Sequence, residues 1–228
     1  MTAKEISDRI LAGIDDDPSA PGSIASDGTP VPPEIMAAIN EGQELFSWLT
    51  LCLEAIAPIT LPASTTFGMI RATLPDFLVP LRLSIGGARV KPATPAELDA
   101  LDDSWQNRVG VPGFYFTWGF NFYAVTPQPA NDTVSQLTYA RAPLQLVDDA
   151  WPEIPEQYHQ SLVKYGRYRV KLKEGGRGLE RGLVQFKEFL ADATAHADYV
   201  RARSRAARYD TLPIELKLFD RARVVKPR

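Results

Sequence analysis

Cysteine is almost missing from this chain. Cys52 is the sole thiol in 228 residues, so no intramolecular disulfide framework can form, no cysteine-built zinc site can assemble, and the chain fits a reducing compartment. Cys52 itself reads as a small core residue inside an apolar helix. Histidine is nearly as scarce: His159 and His196 lie 37 residues apart. Neither has a His-Glu or Cys-x-x-Cys pattern beside it, so they read as helix-surface or interhelical hydrogen-bonding groups rather than metal ligands. Long apolar runs are absent too. The longest, Leu45 to Ile59, contains Glu54 and ends in a proline-containing segment, short of the roughly 20 residues that a membrane span needs. No charged, apolar and small-residue sequence opens the chain as a secretory signal would. The expectation is a soluble protein with no membrane partner, intracellular when made, for which the sequon Asn131-Asp132-Thr133 has no meaning without export.

What is present is enough for a core. A hydrophobic content of 45% with 10% aromatics excludes wholesale disorder, and 19 prolines with 15 glycines announce turns and irregular joins. The length suits one elaborated domain or two small ones. The net charge of -3 hides a split. Residues 1 to 159 hold 8 Lys and Arg against 20 Asp and Glu, giving -12, whereas residues 160 to 228 hold 17 against 8, giving +9. Such a split steers an anionic partner to one end or lets subunits meet with opposite potentials; two solvated faces are the plainer alternative.

Residues 3 to 12 read as a short helix, and Asp15 to Pro33, rich in Asp, Ser, Gly and Pro, as a linker or surface arm. Pro33 opens a helix to about Ala57, with Ile35, Ile39, Gly42, Phe46, Leu49, Leu53 and Ile56 spaced four and three apart. Gly42 in that seam admits a close neighbouring backbone, and Pro58 and Pro62 end the helix. From Thr65 to Pro143 the texture is β-rich, with helical spacing only around Pro95 to Gln106. Phe114 to Trp118 and Phe120 to Val125 flank Gly119 as a hairpin. Val134 to Arg141 is a third strand, with Leu137 and Tyr139 on one face and Gln136 and Thr138 on the other.

Helical spacing returns after Pro155, with Tyr158, Leu162, Tyr165 and Leu172 on one face and a stop at Glu174-Gly175-Gly176. A last helix from near Leu179 carries Leu179, Leu183, Phe186, Leu190, Ala193, Ala197 and Val200. Two matching seams predict an α+β protein, mainly α: an antiparallel helical bundle of residues 33–64 and 144–208, with a β-rich insertion over 65–143. Residues 1–32 form an N-terminal arm and 209–228 an extended C-terminal docking tail. The last seam fades into Arg201, Arg203, Arg205 and Arg208, of which Arg201, Arg205 and Arg208 share a face suited to phosphates or a neighbouring subunit. After Pro213, the alternating Ile214, Leu216 and Leu218 read as a strand-like tail awaiting an edge.

No catalytic constellation emerges. There is no Gly-x-Ser-x-Gly elbow, and a thiolate is disfavoured at Cys52. Gly176 to Gly182 resembles a phosphate loop but follows a helix and lacks Gly-Lys-Ser/Thr, so it reads as a helix break. Asp15-Asp16-Asp17, Asp102-Asp103 and Asp148-Asp149 are ordinary linker, turn and helix-start residues. No enzyme, cofactor or metal is expected.

Several segments together resemble the head-to-tail adaptor, or head-completion, proteins of tailed bacteriophages. These are the helix from Pro33 with Ile39-Asn40-Glu41-Gly42-Gln43 to Leu53; Trp105, Gly110, Pro112, Tyr115 and Phe116 followed by Pro127, Pro129, Leu137, Tyr139, Arg141 and Pro143; and Ile154-Pro155-Glu156 with Tyr158, His159, Leu162, Val163 and Tyr165. The resemblance covers about residues 33 to 200, and the N-terminal 32 residues depart from it. It implies a virion neck subunit, assembled in the host cytoplasm. Twelve copies would ring the channel for genomic DNA beneath the portal protein, above a downstream tail or nozzle protein. By position, the portal-docking tail would present Leu212, Ile214, Leu216, Leu218, Phe219, Arg221 and Arg223. The competing readings are a nucleic-acid-binding module using the Arg201 to Arg208 strip and an enzyme with a dispersed site.

Overall fold

The computed structural model describes residues 1–13, 30–118, 122–147, 150–174 and 176–206, with only the backbone at Trp118, Phe122, Glu174, Gly176, Arg177 and residues 201–206. The chain divides into two compact units, one of which comprises Met1–Leu53 and Arg141–Val200. Its helix α1 (Ala3–Ala12) starts on a capping box: the Glu5 amide donates to the Thr2 hydroxyl at 3.2 Å and the Thr2 amide to the Glu5 carboxylate at 3.0 Å. Together these satisfy two otherwise orphaned donors. Helix α2 (Pro33–Thr50) begins with proline at its first position, where a missing N–H costs nothing.

Helix α2 stops seven residues before the expected Ala57. The Thr50 hydroxyl turns back to the Phe46 carbonyl at 2.8 Å, and Leu51, at φ 54°, caps the helix through an N–H bond to Ser47 at 2.7 Å. Beyond it, Ile56, Ile59 and Thr60 are β-branched, and Pro58 forces the residue before it into extended backbone. The last two seam positions therefore leave the helix, and Ile56 stands 70% exposed on a strand. Cys52 lies in the connection, not in a helix. Its partial burial pushes the thiol pKa up.

Helices α4 (His159–Glu174) and α5 (Gly176–Ala206) complete this unit. The missing side chain at Gly42 receives not a backbone but the Tyr165 ring: a Cβ there would lie 2.8 Å from Tyr165 Cδ1. Tyr165 in turn packs on Phe189 and Phe186, with ring centroids 5.0 and 6.2 Å away, and Phe46 on Phe189 at 6.0 Å. The buried face of α5 is Gly182, Phe189, Ala193, His196 and Ala197 rather than the full expected seam, and Leu183 is exposed. Residues 176–182, read as a break, are helical. Gly175 lies outside the described residues.

The other unit holds Glu54–Ala140. Strands β1 (Glu54–Leu61), β2 (Phe67–Met69), β3 (Phe77–Ile85), β4 (Ala88–Pro92), β5 (Phe114–Trp118), β6 (Phe122–Thr126) and β7 (Thr133–Arg141) form one sheet in the order β1-β7-β3-β4-β5-β6-β2. It is mixed, because β4 and β5 run parallel and the other described pairs antiparallel. Gly86 and Gly87, at φ 55° and 81°, make the two-residue β3–β4 hairpin that only such residues accommodate readily. Leu137 and Tyr139 are buried on the inner face with Ile59, Leu61, Leu83, Val90 and Tyr115. Helix α3 (Pro95–Leu101) and Trp105 cover the opposite side of β5 and β6 through Leu98, Phe116 and Ala124.

The sheet curls, so a side chain links its two edge regions. Tyr123 of β6 crosses over Gly68 of edge strand β2, where any Cβ would collide with the ring, and donates to the Thr60 carbonyl of the other edge strand at 3.2 Å. Since the Arg141 amide bonds Leu53, the odd-numbered residues of β1 point their backbone groups at β7 and the even-numbered ones point away. Pro58 thus removes a donor from the edge that no described strand pairs, the place where sheets tolerate proline.

These elements overturn the mainly α antiparallel bundle. The described residues form five α-helices and a seven-stranded curled mixed sheet, about 46% helix and 25% strand. Helical spacing read across Thr50 and the unrecognised strands β1, β3 and β4 account for the difference.

Candidate assembly interface

A polar clamp ties α2 to the segment that follows β7. Asn40 and Gln43 lie on one flank of the helix because their positions are three apart. The Asn40 side chain takes both backbone groups of Leu146: its oxygen accepts the Leu146 N–H at 2.7 Å and its amide donates to the carbonyl at 3.3 Å. Gln43, fully buried, donates to the Leu144 carbonyl at 3.0 Å and accepts the Glu153 N–H at 2.8 Å. Glu153 closes the loop. Its carboxylate receives both Arg141 guanidinium nitrogens at 2.7 and 2.9 Å and the Leu144 N–H at 2.8 Å. Those bonds, led by Arg141, hold its pKa below the usual carboxylate value.

With its backbone fixed, this segment buries Leu146 and turns Leu144, Val147 and Trp151 outward at 67, 70 and 58% exposure. Large apolar groups on a preorganised backbone lose little entropy on docking, the usual character of a protein contact. The clamp also unites residues on which the family resemblance rests. Asn40, Gln43, Arg141 and Ile154 meet here, and His159 donates through Nε2 to the Ile154 carbonyl at 3.0 Å while its Nδ1 accepts from the Met1 ammonium at 2.9 Å. Burial is the main cause that lowers the His159 pKa. Asn40 and Gln43 stood in the quoted segment, but nothing in their spacing foretold their carbonyl and amide partners about 100 residues away.

His196 departs from the expected hydrogen-bonding role. It is buried among Phe46, Tyr158 and Tyr199, with centroids 5.9, 4.5 and 5.9 Å away, and among the described residues neither ring nitrogen has a partner. Desolvation holds its pKa down.

The charge split folds back on itself. Arg169 pairs with Glu41 at 2.8 Å, Lys173 with Glu34 at 2.6 Å, and Lys164 with Asp192 at 2.8 Å. Basic α4 thereby spends much of its charge on α2 and α5. By contrast, residues 201–228 hold nine Lys and Arg against three Asp and Glu, a surplus of +6. Arg201 and Arg205 lie on α5, where only the backbone is described. Arg208 and the tail residues Leu212, Ile214, Leu216, Leu218, Phe219, Arg221 and Arg223 lie outside the described residues, as do Asp15 to Asp17, Gly119 and Asp148-Asp149. The described residues therefore do not test whether these site residues come together.

Among the described residues no group of three His, Cys, Asp or Glu side chains is placed to hold a metal ion. No described helix is long and apolar enough to cross a membrane.

Comparison with known proteins adds one finding. The model of a protein family described as SU10 adaptor protein matches residues 1–211. The match begins at residue 1, ahead of the span from 33 that carried the resemblance. Comparison with curated proteins gives no match.

Proposed function

Because the chain belongs to the SU10 adaptor family of phage head-to-tail adaptors, we propose that it forms a ring beneath the portal and links it to the next tail component. A virion neck component follows from that membership, and a structural rather than catalytic role accords with it. In the proposed assembly twelve copies surround a channel for the genomic DNA. The observation that carries this reading is the match over residues 1–211, which spans both compact units. A ring needs heterologous contacts, in which one face meets a different face of the next copy. The clamped segment with Leu144, Val147 and Trp151 supplies one such apolar face. Residues 212–228, beyond the matched span, would anchor on the portal through Leu212, Ile214, Leu216, Leu218, Phe219, Arg221 and Arg223.

The test is to mix the intact chain, and a chain ending at Thr211, with the portal encoded by the same genome and to image both by electron microscopy. Rings on the portal with the intact chain alone are expected. Equal decoration by the shortened chain would remove the tail from the proposal, and no ring with either would remove the ring.

A further inference from the structure

The acidic part of the chain contains one exception. Between Asp76 and Glu97 no acidic residue occurs, yet Arg82, Arg89 and Lys91 fall within ten positions. The fold concentrates them. In the β3–β4 hairpin Leu83 pairs with Val90 and Ser84 with Arg89. Leu81, Leu83 and Val90 are buried on the inner face, so strand alternation puts Arg82, Ser84, Arg89 and Lys91 on the outer one. The ladder runs from Ile85–Ala88 to Leu83–Val90; continued by one step, the same register would bring Arg82 opposite Lys91 and leave Arg89 diagonal to Arg82. Such neighbours stand about 5 to 8 Å apart at Cβ. All three cations are exposed, and among the described residues neither Arg82 nor Lys91 has an acidic partner.

Like charges facing each other across a ladder weaken it. Helix α3, which covers β5 and β6, commits Glu97 to the Thr94 cap and Asp99 to the Trp105 indole N–H, so neither carboxylate is spent on Arg82 or Lys91. Among the described residues the hairpin's own outer face carries no large exposed aromatic or aliphatic group of the kind that anchors protein contacts; the exposed Ile56 and Val134 belong to β1 and β7. We propose that the outer face of the β3–β4 hairpin binds the phosphodiester backbone of double-stranded DNA without sequence preference. Guanidinium and ammonium groups bind phosphate oxygens on any sequence, and counterion release from the duplex drives the association. The adaptor reading supplies the source of the DNA; the binding itself does not depend on ring formation.

The experiment measures fluorescence anisotropy of a mixed-sequence duplex with the full chain and with its R82Q/K91Q variant, from about 50 to 200 mM salt. The wild-type affinity should fall steeply with salt. The variant should show a log–log slope lower by about 2, since each phosphate contact contributes about 0.9. Its thermal midpoint should stay level or rise, because a like-charge pair is relieved. Absence of duplex binding at 50 mM salt overturns the proposal. So does an unchanged slope in R82Q/K91Q while R201Q/R205Q/R208Q abolishes binding, which would place DNA on the end of α5. Loss of portal decoration with DNA affinity intact also overturns it, making the face a protein contact. Portal imaging with the wild-type chain reports on the ring separately, so the two readings fail independently.

Discussion

Gln43 offers the sharpest handle on the clamp. Replacing it by Met keeps the length of a fully buried side chain but deletes its donor and acceptor. Two bonds vanish, the 3.0 Å one to the Leu144 carbonyl and the 2.8 Å one from the Glu153 N–H. Leu144 is exposed, so its carbonyl regains water at little cost. The Glu153 N–H loses its partner inside the clamp, and an unsatisfied buried donor costs about 1 to 3 kcal/mol. A net loss near 2 kcal/mol corresponds to about a thirtyfold faster opening-limited exchange. Amide hydrogen exchange of the full chain reads this residue by residue. In Gln43→Met, the Glu153 and Leu144 amides should accelerate together, because the Glu153 carboxylate is what holds the Leu144 N–H. Leu146, held by Asn40, should change less. Unchanged exchange at Glu153, or an equal acceleration throughout α1, α2 and α4, would refute the clamp as a local device.

Acid should weaken the same region. Glu153 has a depressed folded pKa, so its contribution is complete above its unfolded value and disappears as pH falls through the folded one; Glu153→Gln should flatten denaturant midpoints measured across that low-pH range. His196 works at higher pH. With its folded pKa lowered by burial, stability should decline as pH drops below the unfolded value of about 6.5; because His159 is lowered too, His196→Phe should reduce that slope between pH 7 and 5 without abolishing it, at no cost at pH 8. In the sheet, Tyr123→Phe should cost about 1 kcal/mol for its bond to Thr60. Gly68→Ala should displace the same ring, so a double-mutant cycle by urea denaturation should show the two losses to be strongly non-additive; additive losses would mean that Gly68 does not serve Tyr123.

Much of the helical unit was legible because its signals are local. Pro33 marks the start of α2, and Ile35, Ile39 and Phe46 declare the buried stripe. The end of α2 was harder to see. Leu53 and Ile56 continue helical spacing by coincidence, and a single residue at positive φ, Leu51, diverts the chain into β1. Leu137 and Tyr139 gave the face of β7 correctly because alternation is also local. Gly86-Gly87 offered a hairpin signal that the irregular β texture obscured. The clamp could not be read at all: Asn40 and Gln43 are ordinary polar helix residues until residues 144 to 153 arrive beside them. The charge split was visible, but its cancellation by Glu34, Glu41 and Asp192 depends on helix packing.

If copies assemble into the proposed ring, Pro58 has a consequence for the chain beforehand. A strand from another copy that tried to extend the sheet at β1 would find no donor at position 58, and its own facing carbonyl would be left dry, at a cost of about 1 to 3 kcal/mol. That is a roughly ten- to hundredfold bias against open-ended stacking through backbone ladders. Under the ring proposal, copies so discouraged would remain in the pool from which a closed assembly draws, and one missing hydrogen would tilt the partition away from fibrous waste.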